Sequence, residues 1–338
     1  MTGTTPPLVT IGIKALNEEE HIAAALRSAC AAVEGLDGEV VLADSGSTDR
    51  TVAIALEFAA DGAPVHVWRL RDTHLRCCGI GAQLAFQQAR GEYFYLLDGD
   101  MTLDPEFIRQ GLAFLQANPD YAAVGGRVVE VQTQSIEFEL RARSDLEKGS
   151  AISGEVDRLD CGGLYRTSAI RAVGYFADRN LHAFEEFELG ARLRAQGWKL
   201  ARIAAPAVRH FGHAVGGYRL MLKRLRSGYA GGPGEVVRGA LGAPHFRQVL
   251  RDFSQLRNGI AVWGWWIALV AAAIAGLWIP LAVLVLVPIA FLSWRRGGLR
   301  LGLYSLATWN VNAIGLIQGL ARTRTAPRTP IEAQAMKP

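Results

Sequence analysis

The chain has 338 residues, of which 50% are hydrophobic and 20% are charged, so it can bury the core of one large domain or two. The formal net charge of +4 is too small to imply a nucleic-acid partner. Its four cysteines show no C-x-x-C spacing, which favours reduced thiols. The N-terminus lacks the basic and apolar regions of a signal peptide, so we expect the polar part of the chain to stay in the cytoplasm.

The first 130 residues alternate short apolar runs with helical segments, which predicts a doubly wound, mostly parallel α/β sheet. Asn17, with Glu20 three residues later, is predicted to cap a helix that extends to about Val33. Asp104 and Pro105 mark the start of another helix. The predicted strands are Leu8–Ile13, Glu39–Ala43, Val65–Leu70, Tyr93–Leu97 and Val124–Thr133, and the clearest later helix is Glu185–Gln196.

The segment YFYLLDGDM, residues Tyr93–Met101, is the most informative one in the chain. Its apolar run is typical of a buried parallel strand and ends in Asp98 and Asp100, at the strand end where open α/β sheets bind ligands. Two adjacent carboxylates repel each other unless a cation lies between them, and Mg²⁺ or Mn²⁺ shared with a phosphate group would serve. A plain acidic turn is the alternative. An EF-hand is excluded because Leu103 occupies the position of its required glycine.

Five segments follow one another in a characteristic order. They read IKALNEEEHI, ADSGSTDRT, ARGEYFYLLDGDM, CGGLYRTSAIRAVGYF and EEFELGARLRAQGWKL. Together they resemble the family 2 glycosyltransferases with the GT-A fold, over roughly residues 9–213. The resemblance implies an enzyme that takes a sugar from a nucleotide-sugar donor, with Mn²⁺ or Mg²⁺ as cofactor.

The resemblance also implies a binding site for the donor. The residues it assigns to nucleotide-sugar binding are Ala15, Asn17, Glu18, Asp44, Ser45, Arg76, Asp98 and Gly99. Asp44 would accept the ring N–H of uracil, which implies a UDP-sugar, although a helix cap is the alternative for this turn. Relatives often carry Arg-Asn where this chain has Ala82 and Gln83, and Arg76 would replace that positive charge at the diphosphate.

The remaining implied roles concern the metal, the acceptor and the base. Asp98, Asp100 and His210 are the expected metal ligands, with His213 as the alternative to His210 and a structural histidine as a third interpretation. Gly162, Gly163 and Glu185 are expected to face the donor sugar and the acceptor. Glu186 stands where the family usually has aspartate, and it is the expected general base. One turn further along the same helix, Glu188 and Arg192 are spaced for an ion pair.

Residues 259–294 carry no charge. As one helix this run would measure about 54 Å, against about 30 Å of hydrocarbon, so it is too long for one span and short for two. Pro280 lies near its middle. Arginines flank both ends, which predicts a tight or re-entrant hairpin whose ends both face the cytoplasm. The segment Leu301–Ala321 either spans the membrane or lies in its interface.

We therefore expect four parts. These are a GT-A domain (6–235), a basic amphipathic interfacial linker (236–258), a transmembrane or re-entrant hairpin with a third apolar helix (259–321), and a basic, disordered cytoplasmic tail (322–338). The expected location is the cytoplasmic face of the inner cell membrane. Expected partners are a nucleotide-sugar, a lipid-linked saccharide or glycolipid acceptor, membrane lipids and other envelope-biosynthesis proteins, and no nucleic acid is expected.

Two other functions stay open from the sequence. A polyprenyl-phosphate glycosyltransferase would need no base, because its acceptor is already an anionic phosphate. A catalytically silent scaffold would bind nucleotide-sugar within a synthase complex without turning it over. A processive polysaccharide synthase is disfavoured because no Q-x-x-R-W motif follows Gly217.

Overall fold

The structure is a computed structural model that describes residues 6–131, 153–160, 162–212 and 217–338. Its strands are β1 (Val9–Ala15), β2 (Gly38–Asp44), β3 (Val65–Leu70), β4 (Tyr93–Asp98), β5 (Met101–Leu103), β6 (Tyr121–Glu130), β7 (Gly154–Val156), β8 (Gly163–Arg166), β9 (Lys199–His210) and β10 (Ala333–Met336). Its helices are α1 (Ile22–Val33), α2 (Thr51–Ala60), α3 (Cys78–Gln88), α4 (Pro105–Ala117), α5 (Thr167–Val173), α6 (Glu185–Ala195), α7 (Gly217–Arg226), α8 (Gly232–Ala240), α9 (Phe246–Asp252), α10 (Ser254–Ile274), α11 (Trp278–Arg296) and α12 (Leu299–Ala321).

The strands form one mixed sheet in the order β10-β3-β2-β1-β4-β8-β6-β9-β5, with β7 paired to β9. Strands β3, β2, β1 and β4 are parallel, and β8 continues the sheet antiparallel to β4. The predicted doubly wound α/β fold is confirmed. In this register Ala15 lies opposite Asp44, and Lys14 lies opposite Asp98. The carboxyl ends of β1, β2 and β4 therefore meet at one edge of the sheet.

Strand β4 shows why a continuous apolar run was needed. Tyr95 and Leu97 pack into the core on one face of the sheet, together with helix α1. Phe94 and Leu96 pack into a second core on the other face. Because successive side chains of a strand point to opposite faces, a strand covered on both sides must be apolar at every position.

The two predicted helix starts had different outcomes. The Asp104 side chain accepts a hydrogen bond from the Glu106 N–H at 3.1 Å, as a cap to α4. The predicted Asn17 cap is wrong, since α1 begins only at Ile22. Asn17 instead adopts a left-handed backbone conformation with φ 57°, which asparagine tolerates better than most residues. Its Oδ1 accepts from the Thr48 N–H at 2.8 Å, so it joins the loops that follow β1 and β2.

The uncharged run forms a hairpin of two helices, α10 and α11. The turn lies at Gly276, which has a φ of 65°, and Pro280 falls in the first turn of α11, where it needs no donor. The helices extend beyond the uncharged run, to Ser254 and Arg296, and the number of membrane spans stays a prediction. Each is long and apolar enough to cross a membrane, and residues near the turn, such as Ile274 (83%) and Ile279 (80%), are highly exposed.

Helix α12 packs on the segment before α8 through small residues. A Cβ at Gly315 would lie 1.9 Å from the carbonyl oxygen of Ala230, and one at Gly319 would lie 2.0 Å from that of Gly231. Helix α8 crosses the predicted domain boundary at residue 235, and Val236 in it is fully buried. The predicted boundary at residue 235 is therefore wrong, because α8, which includes the first residues of the predicted amphipathic linker, belongs to the packed interface with α12.

The expected disordered tail is also wrong. Strand β10 pairs antiparallel with β3, from Ala333 opposite Leu70 to Met336 opposite Val67, and Ile331 is buried. Arg324 forms an ion pair with the buried carboxylate of Asp178. An edge strand leaves backbone hydrogen-bonding groups unpaired, and β10 satisfies those of β3.

We expect Gly315→Ala to lower the thermal unfolding temperature of the purified protein, with a cost of about 1–3 kcal/mol. The new methyl group would overlap the Ala230 carbonyl oxygen, and neither backbone can move without disturbing α12. The matched control is Gly264→Ala in α10, where a Cβ would meet nothing within 4 Å. Equal unfolding temperatures for the two variants would contradict the packing of α12 on this domain.

Candidate active site

A cleft of about 770 Å³ opens at the carboxyl ends of β1, β2 and β4. This is the edge of the sheet where α/β proteins bind ligands. One side, here called the strand-end wall, is lined by Ala15, Ser45, Asp98, Gly99 and Asp100. The other side, the α7 wall, is lined by Leu220, Lys223, Arg224, Ser227 and Tyr229. Glu18, Arg76 and His182 also line the cleft, so it combines carboxylates with several basic groups.

The two aspartates are held by a tight turn around Gly99. The Gly99 N–H donates to the Lys14 carbonyl oxygen at 3.0 Å, and a Cβ at this position would lie 2.8 Å from Cγ of Glu18. Only glycine fits here without displacing the neighbouring loop. Burial raises the pKa of Asp98, the charge of Asp100 raises it further and Lys14 opposes the shift. The two carboxylates thus repel each other when both are ionised, as predicted from their spacing.

Lys14 ties the aspartate turn to helix α6. Its Nζ lies 3.2 Å from Oδ1 of Asp98 and 2.9 Å from Oε1 of Glu185. Burial alone would lower the pKa of Lys14, but Asp98 and Glu185 raise it well above its usual value, so the ammonium stays charged. Lys14 was not predicted from the sequence, although a lysine near the end of a buried apolar strand was a usable signal.

Glu186 lies in the first turn of α6, which begins at Glu185 as predicted. The preceding residue, Phe184, has a left-handed backbone with φ 69°, a strained conformation that is frequent near functional sites. Burial raises the pKa of Glu186 to about 8, the neighbouring Glu185 contributes, and Lys14 opposes. A carboxyl group that titrates near neutral pH suits a general base.

The ion pair predicted on the same helix is confirmed. Arg192 Nε lies 2.7 Å from Oε1 of Glu188, and both side chains are buried. Arg192 also donates to the carbonyl oxygens of Tyr175 and Phe176, at 2.7 and 2.8 Å. These bonds fix the segment that leads into Glu186.

His210 lies next to Asp100, on β9. Its Nε2 is 3.3 Å from Oδ2 of Asp100, and its Nδ1 is 2.8 Å from Oε2 of Glu130. Hydrogen bonds to Asp100 and Glu130 raise the pKa of His210 to about 10. In this arrangement His210 holds Asp100 in place, and its role as a metal ligand stays a prediction. His213, the alternative, lies outside the described residues.

The aspartate turn fits a hard divalent cation with few protein ligands. Asp98 and Asp100 offer carboxylate oxygens to the cleft, and such oxygens suit Mg²⁺ or Mn²⁺. Within the part of the chain that the structure describes, no group of three or more His, Cys, Asp and Glu side chains could enclose a metal ion. A cation bound here would therefore take most of its ligands from water and from a phosphate-bearing ligand.

Two residues predicted to bind the nucleotide, Asn17 and Asp44, are not among those that line the cleft. Asp44 is fully buried and accepts hydrogen bonds from the backbone N–H groups of Gly46 and Ser47 at 3.0 and 3.1 Å. Its Oδ2 also lies 3.4 Å from Nε of Arg69. Asp44 thus builds the turn that presents Ser45, as Asn17 does for the neighbouring loop. A direct contact of Asp44 with uracil would require it to give up some of these bonds.

The predicted glycine loop packs against β4. Gly162 has a φ of 77°, and a Cβ there would lie 2.4 Å from the hydroxyl oxygen of Tyr95. Gly163 begins β8 and pairs with Leu96. Neither glycine is among the residues that line the cleft, so their contact with the donor sugar or the acceptor stays a prediction. Arg76 does line it, and no described acidic group forms an ion pair with its guanidinium.

A doubly wound sheet with two aspartates at the end of a central strand, facing a cleft, is the arrangement of the GT-A class of fold. The family described as glycosyl transferase family group 2 matches residues 93–296, and glycosyl transferase family 2 matches residues 10–173. The chain belongs to the family 2 glycosyltransferases.

The curated relatives match only part of this chain, and the chain matches only part of each of them. Glucomannan 4-beta-mannosyltransferase 2 of Arabidopsis thaliana is 24% identical over 211 residues, which is 57% of this chain and 39% of that protein. The succinoglycan biosynthesis protein ExoA of Rhizobium meliloti is 26% identical over 188 residues, or 56% of this chain and 52% of ExoA. The chain thus spans between two fifths and about half of the length of these relatives.

A solved structure matches nearly the whole chain. It is the mannosyltransferase PcManGT from Pyrobaculum calidifontis, in complex with GDP-Man and Mn²⁺. The TM-score is 0.62 at 19% identity, over 94% of this chain and 88% of that one. At this identity the likeness establishes the shared fold, including the helices that follow the catalytic domain.

Proposed function

We propose that this chain is an inverting, metal-dependent glycosyltransferase. It transfers a sugar from a nucleotide-sugar to a hydroxyl group of a lipid-linked saccharide or glycolipid acceptor, at a membrane surface. The observation that carries the proposal is the position of Glu186. Its pKa is about 8, and Lys14 joins the adjacent Glu185 to Asp98 in the cleft. A base and a pair of metal-binding carboxylates are thereby held in one rigid unit.

In the proposed reaction Glu186 removes the proton of the acceptor hydroxyl. The resulting oxygen forms a bond to the anomeric carbon of the donor sugar, and the bond from that carbon to the diphosphate oxygen breaks. Because the nucleophile approaches opposite to the leaving group, the configuration at the anomeric carbon inverts. Glu186 contributes by raising the nucleophilicity of the oxygen at the moment of attack.

Other groups of the cleft would stabilise the negative charge of the diphosphate. Asp98 and Asp100 would hold Mn²⁺ or Mg²⁺, which when bound neutralises negative charge on the departing diphosphate. Arg76 offers a second positive charge from a different part of the cleft. Lys14 keeps Asp98 and Glu185 in fixed positions, and His210 does the same for Asp100.

There are two candidates for the donor. The sequence resemblance favours a UDP-sugar. GDP-mannose is the second candidate, because the Arabidopsis relative is named as a mannosyltransferase and the matched structure contains GDP-Man. The name of ExoA as a succinoglycan biosynthesis protein supports a role in polysaccharide assembly.

The hairpin of α10 and α11 supports attachment to a membrane. At about 31 and 28 Å the two helices match the hydrocarbon thickness of about 30 Å, and most of their surface is exposed. Arg257 and Arg296 lie at the open end of the hairpin, which favours the cytoplasmic side for both ends and for the catalytic domain. Tyr218 of α7 contacts Tyr304 of α12, with ring centres 5.2 Å apart, so the α7 wall connects the cleft to the membrane helices.

We expect turnover at subsaturating substrate to rise with pH and to level off above about pH 8. Glu186 acts as a base only when it is deprotonated, and its raised pKa keeps it protonated below that value. A cation beside Asp98 would move the midpoint to lower pH. The profile of kcat/KM between about pH 5.5 and 9 measures this. A flat profile would contradict the assignment of the base, provided that nucleotide binding is shown to be constant over the same range.

The activity itself is tested with purified full-length protein in lipid nanodiscs and a panel of UDP- and GDP-sugars. Release of the nucleoside diphosphate is measured with Mn²⁺, with Mg²⁺ and with EDTA. We expect slow release from one donor that EDTA abolishes. Metal-dependent binding of UDP or GDP without release from any donor would instead favour the silent scaffold.

A further inference from the structure

His182 lines the cleft and lies four residues before Glu186 in the chain. Its Nδ1 lies 2.9 Å from Oε1 of Glu235, and its backbone N–H donates to Oε2 of the same residue at 2.9 Å. The Glu235 side chain is only 4% exposed, whereas that of His182 is 26% exposed. A buried carboxylate thus holds a histidine that reaches the cleft.

Arg322 completes this cluster. It forms an ion pair with Glu235, its Nη1 lies 3.0 Å from Nδ1 of His182, and it reaches the carbonyl oxygen of Gly228 at 3.3 Å. A buried carboxylate is costly unless charged or polar groups satisfy it. Here two side chains and one backbone N–H do so, which fixes the imidazole in one orientation. Arg322 directly follows α12, so the cluster also joins that helix to the cleft.

The hydrogen bonds select one tautomer of His182. An unprotonated Nδ1 would direct its lone pair at the Glu235 carboxylate, which repels it. Nη1 of Arg322 carries two protons, and the Glu235 carboxylate and the Gly228 carbonyl oxygen accept both, so none is left for Nδ1 to accept despite the 3.0 Å separation. Nδ1 therefore carries its own proton and donates it to Glu235. In the neutral imidazole this leaves Nε2 as a hydrogen-bond acceptor. No protein group among the described residues forms a hydrogen bond with Nε2.

We propose that His182 is a substrate-binding residue whose Nε2 accepts a hydrogen bond from a hydroxyl group of the acceptor sugar. The proposal rests on the function proposed above and names a contact on its acceptor side. A lone pair on Nε2 matches a hydroxyl donor and does not match a diphosphate, which has no proton to give at neutral pH. His182 would hold one hydroxyl while Glu186 deprotonates another.

The position of His182 favours the acceptor over the donor sugar. The donor's diphosphate belongs at the strand-end wall, next to Asp98 and Asp100. His182 comes from the segment that leads into α6, and its partners Glu235 and Arg322 belong to α8 and to the chain after α12. Because α8 and the chain after α12 hold it, His182 faces the cleft from the side of the membrane helices, and a lipid-linked acceptor would approach from that side.

Two substitutions separate a substrate contact from a structural role. The amide of His182→Asn can replace Nδ1 and keep the bond to Glu235, but it offers nothing in place of Nε2. The amide of His182→Gln reaches the position of Nε2 and cannot serve Glu235 equally well. The probes are octyl β-glucoside and octyl β-mannoside, below their micelle concentrations, with the full-length protein in nanodiscs. Probe affinity and the donor KM are both measured.

We expect His182→Asn to weaken binding of at least one probe about five- to tenfold, as for one lost hydrogen bond. His182→Gln should stay within about threefold of the wild type, and the donor KM should not change in either variant. The reverse order of effects, a change in donor KM alone, or no binding of either probe to the wild type would overturn the proposal. Donor hydrolysis by the wild type without probe reports separately on the proposed function.

Discussion

Replacing Glu186 by glutamine is expected to lower kcat by about 10²- to 10⁴-fold. Glutamine keeps the size and the polar character of the side chain but cannot accept a proton from the acceptor hydroxyl. The raised pKa of Glu186 indicates that its neighbours favour the neutral form, so the amide should fit without unfolding α6. The measurement is release of nucleoside diphosphate from the donor that the wild type uses, at saturating metal.

Two controls accompany this variant. Metal-dependent nucleotide affinity should be unchanged, because Glu186 is not assigned to the donor. Glu186→Asp, which restores the residue usual in the family, keeps a carboxylate base but withdraws it by roughly 1 Å, so it should lose less activity than Glu186→Gln and at most about 10²-fold. Wild-type turnover by Glu186→Gln would remove the base assignment and favour an acceptor that is already an anionic phosphate.

Replacing Asp100 by asparagine is expected to lower kcat by about 10²- to 10³-fold, as for the loss of one group that stabilises developing charge. The substitution removes a carboxylate from the proposed cation site and a negative partner from His210, whose Nε2 lies 3.3 Å from Asp100. A higher concentration of Mn²⁺ or Mg²⁺ should be needed for half-maximal activity. A metal titration of nucleotide release measures both effects.

The matched control for this experiment is Asp120→Asn. Asp120 is an exposed carboxylate paired with Lys199. It precedes β6, at the opposite edge of the sheet from the aspartate turn, and its loss should leave the metal titration unchanged. Asp98→Asn should resemble Asp100→Asn, with an additional effect through Lys14. If Asp100→Asn responded to metal as the wild type does, the cation would have to be held elsewhere.

The sequence predicted the residues of the site better than their contacts. Strand β4 and the two aspartates were found because a strand buried on both faces must be continuously apolar, and its polar end is then conspicuous. Glu186 was found from the family resemblance and from a clear helix start. Asp44 and Asn17 were placed in the right loops, yet the structure uses their side chains to build those loops. Lys14 was missed because its partners, Asp98 and Glu185, are distant in the sequence.

In the C-terminal third, too, the sequence predicted local features but not the contacts between distant segments. Two apolar helices could be expected from hydropathy alone, since the signal lies within each segment. By contrast, α12 packs on α8 through Gly315 and Gly319, and β10 adds to the edge of β3. Neither was predicted, because a glycine in a helix or a four-residue strand carries no local sign of its partner.

The sequence by itself thus determined the fold class, the position of the aspartate turn, the candidate base and the presence of an apolar hairpin. Each of these depends on periodicity, composition or a motif within a short stretch of chain. Only the tertiary structure decided the tie through Lys14, the cluster of His182, Glu235 and Arg322, and the return of the tail to the sheet. These features depend on charge pairing and close packing between residues tens to hundreds of positions apart, which no local pattern encodes.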